Sequence, residues 1–353
     1  MGILRFEIVD DDKKFDEIVL SMPNYSFLNS SFRYRYLVNN GINVFRYAVQ
    51  KGGEIIGIIN GSITSTKLFG KYMECKHSPI LREGNRDIWL EVIQFCKKLA
   101  RENGCFMLRM SPQYIKNDDL DNAYKFSKAV KSPIQDIDAM ITQYFDTSLP
   151  DEKLKHDMTD STRNTINKLL KNTDVSVKVF DDNSQFRIFE NFHEQTMRKK
   201  GYRDKPTEML LRELQIQVDN KACYMIVGYF QEKPISIWQC THFGKYLHVY
   251  QAGSDTEFRD KNVRITYLLF WECIQLARKL GCRTLDLFGG MTPVGYKGKR
   301  HPWIGVNAFK ESMGGYKVTY MHSRDISINI IKYIPFYIYS YIRTVLKGYP
   351  INW

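Results

Sequence analysis

The sequence predicts an α/β protein, in the broad sense that includes α+β folds, made of two copies of one domain. Two stretches carry this prediction, "LARENGCFML" from Leu99 and "LARKLGCRTL" from Leu276, which share six of ten positions. Each stretch closes a helical pattern at a glycine and opens an apolar strand. The same order of predicted elements surrounds both copies, which chance does not arrange. A chain of 353 residues is long enough for two separate cores.

The first copy begins with a predicted β-hairpin. Residues 43–50 and 54–63 are rich in β-branched and aromatic side chains and flank a Lys-Gly-Gly turn signal. Residues 86–103 place apolar side chains at helical spacing, which predicts an amphipathic helix. Gly104 ends that helix, and residues 105–112 have the apolar composition of a buried strand.

The second copy repeats this order. Residues 222–230 and 235–243 predict another hairpin around the turn Gln-Glu-Lys-Pro, and residues 246–254 predict a third strand. Residues 264–280 form a strongly apolar helical pattern, and 282–290 predict a strand that runs into a glycine turn.

A linker and a new helix separate the two copies. Residues 149–172 predict the linker and the first helix of the second domain, with Asp160 or Ser161 as its N-cap. The expected division is therefore a first domain over 1–150 and a second domain over 151–319, which carries the sequence Phe-Lys-Glu-Ser-Met-Gly-Gly.

The C-terminal tail has two alternative placements. Residues 328–346 are apolar and aromatic but contain Lys332, Pro335 and Arg343, so they lack the unbroken run of a membrane-spanning helix. The tail either docks on the first domain, so that 320–353 completes it, or lies in a membrane interface with its tyrosines at headgroup level. We favour docking, since most such tails complete a core.

Composition restricts the class of protein. An apolar content of 43% with 25% charged residues excludes a disordered chain. The net charge of +12 favours polyanionic partners such as nucleic acid, anionic lipid surfaces or pyrophosphate-linked substrates. The seven cysteines form no CxxC pair, the histidines show no HExxH spacing, and the N-terminus has no secretory pattern. We therefore expect a reduced, cytoplasmic protein without a metal site.

Residues 287–316 carry the strongest functional signal in the sequence. This segment contains seven glycines, the cations Lys297 and Arg300, and the run "FKESMGG" from Phe309. Glycines permit close approach of the backbone to a ligand, and the cations supply charge for phosphate binding. The alternative is a solvated surface loop, which Trp303 and its apolar neighbours disfavour.

The predicted order of hairpin, helix and strand suggests an acetyltransferase-like (GNAT) fold, but without its usual cofactor. Coenzyme A needs small residues before a helix so that backbone N–H groups can reach its pyrophosphate. Residues 259–264 instead read "RDKNVR", with Asn262 and Arg264 at those places, and 82–86 reads "REGNR". We expect no cofactor.

The run "FGG…GVNAFKESMGG", which follows a predicted strand, is similar to the signature of the FemABX family. These aminoacyltransferases build peptidoglycan cross-bridges and consist of two GNAT-like domains. Residues 160–172 resemble the basic helix that opens the family's second domain, and 26–36 resemble its N-terminal segment. Residues 75–81 carry His-Ser-Pro where the family has Arg-Gly-Pro. The resemblance spans most of the chain, is sharpest over Phe309–Gly315, and is to the compact type without a coiled-coil arm.

The resemblance implies an activity and its partners. An amino acid would move from aminoacyl-tRNA to the amine of a peptidoglycan precursor stem peptide, either UDP-linked or lipid-linked, by direct aminolysis of the ester. It implies a monomeric cytoplasmic enzyme, with peripheral contact at the inner face of the cell membrane as a further expectation.

The resemblance also assigns residues. It carries the family's catalytic lysine onto Lys310, with Phe309 packing on the donor, and Glu83, just past the Pro79 turn, is the nearest carboxylate for the proton of the amine. Candidate substrate-binding residues share positive charge or a place on the expected cleft: Arg33 or Arg35, Arg203 or Lys205, Lys297, Arg300 and Tyr250. For Tyr250, a place in the core is the alternative.

Two rival functions remain open at the level of sequence. The first keeps the fold and makes the chain an N-acyltransferase of surface-polysaccharide or lipid synthesis, with acyl-CoA or an acyl carrier protein as donor. The second is a basic GNAT-like protein that binds RNA or membrane without catalysis.

Overall fold

The computed structural model describes residues 4–133, 139–200, 207–255, 263–290 and 304–346. The chain divides into two compact units, the first comprising 1–141, 289–305 and 318–353, and the second comprising 142–288 and 306–317.

The helices and strands follow one another along the chain. The first group is β1 (Arg5–Ile8), α1 (Asp12–Leu20), a 3-10 turn (Phe27–Asn29), α2 (Ser31–Asn39), β2 (Asn43–Lys51), β3 (Glu54–Thr66), β4 (Gly70–Lys76), β5 (Ile80–Leu81), α3 (Arg86–Glu102), β6 (Cys105–Ser111), α4 (Asp118–Phe126) and β7 (Val130–Lys131). The second group is β8 (Ile141–Asp146), α5 (Asp151–Asp157), α6 (Asp160–Leu170), β9 (Val175–Phe180), α7 (Phe186–Lys200), α8 (Thr207–Asp219), β10 (Cys223–Phe230), β11 (Lys233–Phe243), β12 (Tyr246–Ser254), α9 (Thr266–Lys279), β13 (Thr284–Asp286), α10 (Ile304–Ser312) and β14 (Tyr316–Thr319). The chain ends with β15 (Arg324–Ser327) and α11 (Ile330–Leu346).

The two units contain sheets of the same topology. The strand order is β1-β2-β3-β4-β6-β15-β7 in the first, where β5 also pairs with β3, and β9-β10-β11-β12-β13-β8-β14 in the second. In each sheet four antiparallel strands precede a helix, α3 or α9, and the strand after that helix joins in parallel. The predicted α/β class and internal duplication are confirmed.

Each sheet is completed by a strand from outside its own repeat. The strand β15, which follows the second repeat, pairs antiparallel with β6, and β8, which precedes the second repeat, pairs antiparallel with β13. The expected boundary between 150 and 151 is therefore too late, because Ile141–Asp146 already belongs to the second sheet. Gly289 and Gly290, expected in the second domain, group with the first unit, where a Cβ on Gly290 would lie against Ile141.

The repeated phrase has a physical cause in the helix ends. Gly104 after α3 and Gly281 after α9 adopt φ values of 68° and 71°, and their N–H groups donate to the carbonyls of Arg101 and Arg278. A Cβ at either glycine would meet nothing within 4 Å, so the backbone conformation and not packing requires glycine there.

One predicted helix start differs from the structure. The N-cap of α6 is Thr159, whose side chain accepts a hydrogen bond from the N–H of Thr162, and not Asp160 or Ser161. Asp160 lies one position later, in the first turn, where its negative charge still complements the helix dipole.

Each unit has its own core beneath the repeated helix. In the first unit, Trp89, Val92 and Cys96 of α3 pack with Met73 and Leu108 of the sheet. In the second unit, the equivalent helix α9 is buried more fully, with Leu269, Phe270, Cys273 and Ile274 in contact with Trp238 and Leu247. All seven cysteines are buried.

The C-terminal helix lies on the sheet of the first unit. Tyr333 and Phe336 of α11 pack with Phe106 of β6. Beneath them, Asp325 of β15 accepts two hydrogen bonds from the guanidinium of Arg109, at 2.7 and 2.8 Å, and a third from the hydroxyl of Tyr333 at 3.3 Å. The buried pair of Arg109 and Asp325 links the C-terminal tail to strand β6 of the first unit.

The substitution Asp325→Ala should lower the free energy of unfolding by about 3–5 kcal/mol, because it leaves the buried guanidinium of Arg109 without its partner. Urea unfolding followed by circular dichroism measures the change. The control Glu102→Ala removes an exposed pair with Lys98 and should cost at most about 1 kcal/mol. Equal losses in the two variants would contradict a structural role for the buried pair.

Candidate functional site

Lys310, the lysine singled out by the sequence, lies beside the end of strand β13 in the second unit. Lys310, near the end of α10, donates hydrogen bonds from Nζ to the carbonyl of Leu287 at 2.6 Å and to that of Phe288 at 3.2 Å. The amine is therefore fixed against the backbone that leaves β13.

The backbone turns sharply at this point. Phe288 adopts φ of 42°, and its N–H donates to Oδ1 of Asp286 at 2.8 Å. The strand predicted over 282–290 consequently ends at Asp286, because this side chain takes the hydrogen bond that a continuing strand would have placed on a neighbouring strand.

Asp286 is the buried centre of the site. It accepts a hydrogen bond from the hydroxyl of Thr142 on β8, and Nδ1 of His248 on β12 lies 2.9 Å from its Oδ2. The carboxylate thus joins the three neighbouring strands that carry Thr142, His248 and Asp286 itself.

Burial changes the acidity of the lysine. Removal of the amine from water disfavours its charged form and lowers the pKa of Lys310 to about 8, although the negative charge of Asp286 acts in the opposite direction. An amine with this pKa gains and loses a proton readily near neutral pH.

Aromatic rings surround the same turn. The ring of Tyr250 lies 5.6 Å from that of Phe288. Phe309 makes edge contacts with Trp238 at 6.1 Å and Tyr267 at 5.2 Å, so these core rings already account for its packing. Of the predicted residues, Lys310 and Tyr250 therefore lie beside residues 286–288 in the second unit, whereas Phe309, the neighbour of Lys310 in sequence, packs against the core.

The glycine pair of the "FKESMGG" run has a structural role. Gly314 and Gly315 adopt φ of 82° and 71°. A Cβ on Gly314 would stand 2.6 Å from the carbonyl oxygen of Asp157, and one on Gly315 would stand 2.4 Å from that of Tyr144. These two glycines permit contact with the protein's own backbone, and not with a ligand as the sequence suggested.

The first unit has a small recess beside the His77-Ser78-Pro79 turn, with room for about one water molecule. Its lining includes His77, Ser111, Gln113 and Ser323. His77 adopts φ of 49° and precedes a cis bond between Ser78 and Pro79.

Buried hydrogen bonds hold this turn against the segment 26–36 that resembles the family's N-terminal segment. The Oγ of Ser26 lies 2.5 Å from Nδ1 of His77, and the amide of Asn29 donates to the carbonyl of His77 at 3.2 Å. On the other side, the hydroxyl of Ser78 accepts from the N–H of Asn60 at 2.9 Å. The two segments of the first unit that carry the resemblance are therefore in direct contact.

The remaining predicted residues of the first unit lie away from that lining. Arg33 is buried, with its guanidinium 5.0 Å from the ring centre of Tyr36. Arg35 pairs with Asp12 at 2.9 Å on the surface, and Glu83 is exposed. None of these three residues lines the recess. The titratable side chains described in its lining include His77. Four further candidates fall outside the described residues, namely Arg203, Lys205, Lys297 and Arg300.

Sequence reasoning missed the partners of the turn. Asp286 had a signal, since it ends an apolar strand immediately before "LFGG". The sequence contains no signal for Thr142 and His248, because they lie on distant strands and only sheet pairing brings them to Asp286.

Two family profiles match successive parts of the chain. The FemAB family profile matches residues 11–146, and the acetyltransferase (GNAT) domain profile matches residues 157–298. The crystal structure of FemX is similar to this chain with a TM-score of 0.81 at 15% identity, over 94% of this chain and 99% of that one. The first part of the chain therefore matches the FemAB family, and the fold of the chain is that of FemX.

Other solved structures share this fold. A tandem GNAT protein from the clavulanic acid biosynthesis pathway has a TM-score of 0.56 at 13% identity, covering 92% of this chain and 98% of that one. The L-PGS of Bacillus licheniformis has a TM-score of 0.53 at 13% identity, covering 96% and 98%. A search of curated protein sequences gave no significant match.

The lowered pKa of Lys310 predicts a pH-dependent stability. Between about pH 8 and its ordinary value of 10.5, this lysine is deprotonated in the folded chain and protonated in the unfolded chain. Stability therefore rises with pH in that window. The free energy of unfolding of the wild type, minus that of Lys310→Met, should increase from pH 8 to pH 10 in urea titrations. A constant difference, like that expected for the exposed control Lys279→Met, would contradict the lowered pKa.

Proposed function

We propose that this acyltransferase moves an amino acid from aminoacyl-tRNA to the amine of a peptidoglycan precursor stem peptide. The matches to the FemAB family and to the GNAT domain support acyl transfer. The single observation that carries the finer proposal is the half-buried Lys310, which the resemblance equates with the family's catalytic lysine and which contacts the turn after Asp286.

The reaction needs only groups that the substrates and the protein supply. The nitrogen of the acceptor amine attacks the carbonyl carbon of the ester, an amide bond forms, and the bond between that carbon and the ribose oxygen breaks. One proton leaves the amine and one reaches the departing ribose oxygen, so the reaction is balanced in atoms and charge without a cofactor.

Lys310 serves this reaction in two ways. As an ammonium it stabilises the negative charge that develops on the ester oxygen. Because burial lowers its pKa to about 8, it also gives its proton to the departing ribose oxygen at small cost and regains one from the attacking amine. Asp286 and His248 act as positioning residues, since they fix the turn whose carbonyls hold the lysine.

The charge of the chain suits both proposed substrates. The net charge of +12 favours both the tRNA and the diphosphate of a UDP-linked or lipid-linked precursor. We place the enzyme in the cytoplasm, where charged tRNA is available.

A second candidate function keeps the fold and changes the donor. The GNAT domain match over 157–298 favours an N-acyltransferase that uses acyl-CoA or an acyl carrier protein. Thermal shift separates the two. Stabilisation by acetyl-CoA and not by an aminoacyl-tRNA analogue would replace the tRNA proposal with this one.

Lys310→Met should lower the rate of amino-acid transfer at least about a hundredfold, because it removes both the charge and the proton. Purified protein, charged tRNA and either UDP-linked muramyl pentapeptide or lipid II are incubated, and labelled amino acid in the product is counted. Lys310→Arg keeps the charge without a titration near pH 8, so it should also lose most of the rate. The exposed control Lys279→Met should keep full activity.

The melting temperature separates catalysis from folding. It should change by only a few degrees in Lys310→Met, because the lysine is not part of the apolar core. A large fall that parallels the loss of rate would make Lys310 a structural residue and would overturn its proposed role.

A further inference from the structure

The helix α11 has one buried face and one exposed apolar face. Four side chains at helical spacing face the sheet and are buried: Tyr333, Phe336, Ser340 and Thr344. The opposite stripe, at the same spacing and exposed, is entirely aliphatic: Ile331, Ile334, Ile338, Ile342 and Leu346. The first face explains how the helix docks, but the second buries nothing within the described residues.

The exposed stripe is large for a protein surface. Ile331 and Leu346 are 80% and 81% exposed, and Ile338 and Ile342 are 52% and 50% exposed. Single exposed aliphatic residues are common, whereas a contiguous row along about four helical turns marks an interaction surface. The β3–β4 turn extends it, since Phe69 packs on Phe336 and Tyr339 while the preceding residue, Leu68, is 79% exposed.

Charge identifies the partner of this surface. No aspartate or glutamate follows Asp325 in the sequence, and none occurs between Glu54 and Glu74 around the turn. Lys332 and Arg343 are exposed and lie about three helical turns apart, hence on one flank of the stripe. A surface that is aliphatic in the centre and only basic at its edge is complementary to an anionic lipid layer.

Two further observations favour lipid over a second copy of the chain. Tyr339 and Tyr341 are exposed on opposite sides of the stripe, which is where amphipathic rings meet a headgroup layer. A two-fold contact through the same face would bring Lys332 and Arg343 against their own copies with no acidic residue of the helix to pair them.

We infer that the stripe of α11, together with Leu68, is a membrane-binding surface that inserts into the interface of an anionic leaflet. The helix lies in the plane of the membrane and does not span it. Among the described residues, no helix has the length and apolar content needed for a span. This inference does not depend on which acyl group the enzyme moves.

Vesicle binding of the full chain tests the inference without any substrate. Co-sedimentation with phosphatidylglycerol-rich vesicles should exceed that with phosphatidylcholine vesicles, and added salt should reduce it. Ile338→Glu with Ile342→Glu should weaken binding to the anionic vesicles at least about tenfold, because it adds two negative charges to the inserting face. The matched control, Ile8→Glu with Ile115→Glu, changes two isoleucines of similar exposure elsewhere and should bind like the wild type.

A second variant tests the charge separately. Lys332→Gln with Arg343→Gln should lower affinity for the anionic vesicles about thirtyfold and leave binding to phosphatidylcholine unchanged. Circular dichroism and transfer to a soluble UDP-linked acceptor should match the wild type for all three variants, so that neither misfolding nor failure of the proposed function can imitate the result.

Three outcomes would overturn the inference. The first is equal binding of the wild type to both kinds of vesicle, and the second is undiminished binding of the double glutamate variant. The third is a concentration-dependent dimer that the glutamate variant abolishes, without vesicle binding by the wild type, which would make a second copy the occupant of this face.

Discussion

The pairing of β13 between β12 and β8 is the constraint on which the candidate site depends. It places Asp286 beside His248 in register and brings Thr142 to the other side of the carboxylate. Because these bonds satisfy Asp286, the chain can turn at once, and the carbonyls of Leu287 and Phe288 become available to Lys310. A buried carboxylate without such partners would cost several kcal/mol, so the sheet and the site form together.

The duplication puts different chemistry at one position of the sheet. Arg109 and Asp286 both stand four residues after the cysteine of the repeated phrase, and each pairs in register with a polar residue of the preceding parallel strand, Glu74 or His248. In the first unit the arginine is held by Asp325 and anchors the tail. In the second unit the aspartate shapes the turn that holds a lysine. One copy has become structural support, and the other carries the proposed catalysis.

The sequence predicted those elements well whose pattern lies within one short segment of the chain. Both hairpins, both repeated helices and the glycine stops were found because spacing, β-branching and positive φ are properties of neighbouring residues. The boundary near residue 150 was wrong because β8 joins the second sheet by pairing with β13, which lies far along the chain. The glycines at 314 and 315 were assigned to a ligand, since a sequence does not show that Asp157 and Tyr144 press against them.

The sequence by itself determined the duplicated α/β fold and the resemblance to FemABX proteins, and it singled out Lys310, because these rest on periodicity and on a contiguous motif. Only the tertiary structure decided which groups set the lysine's acidity, that Arg33 is buried over Tyr36, and that Arg35 is bound to Asp12. It also showed that α11 is buried on one face and leaves an aliphatic stripe exposed on the other. The physical reason is that desolvation, pairing and exposure depend on neighbours distant in sequence, which the fold alone brings together.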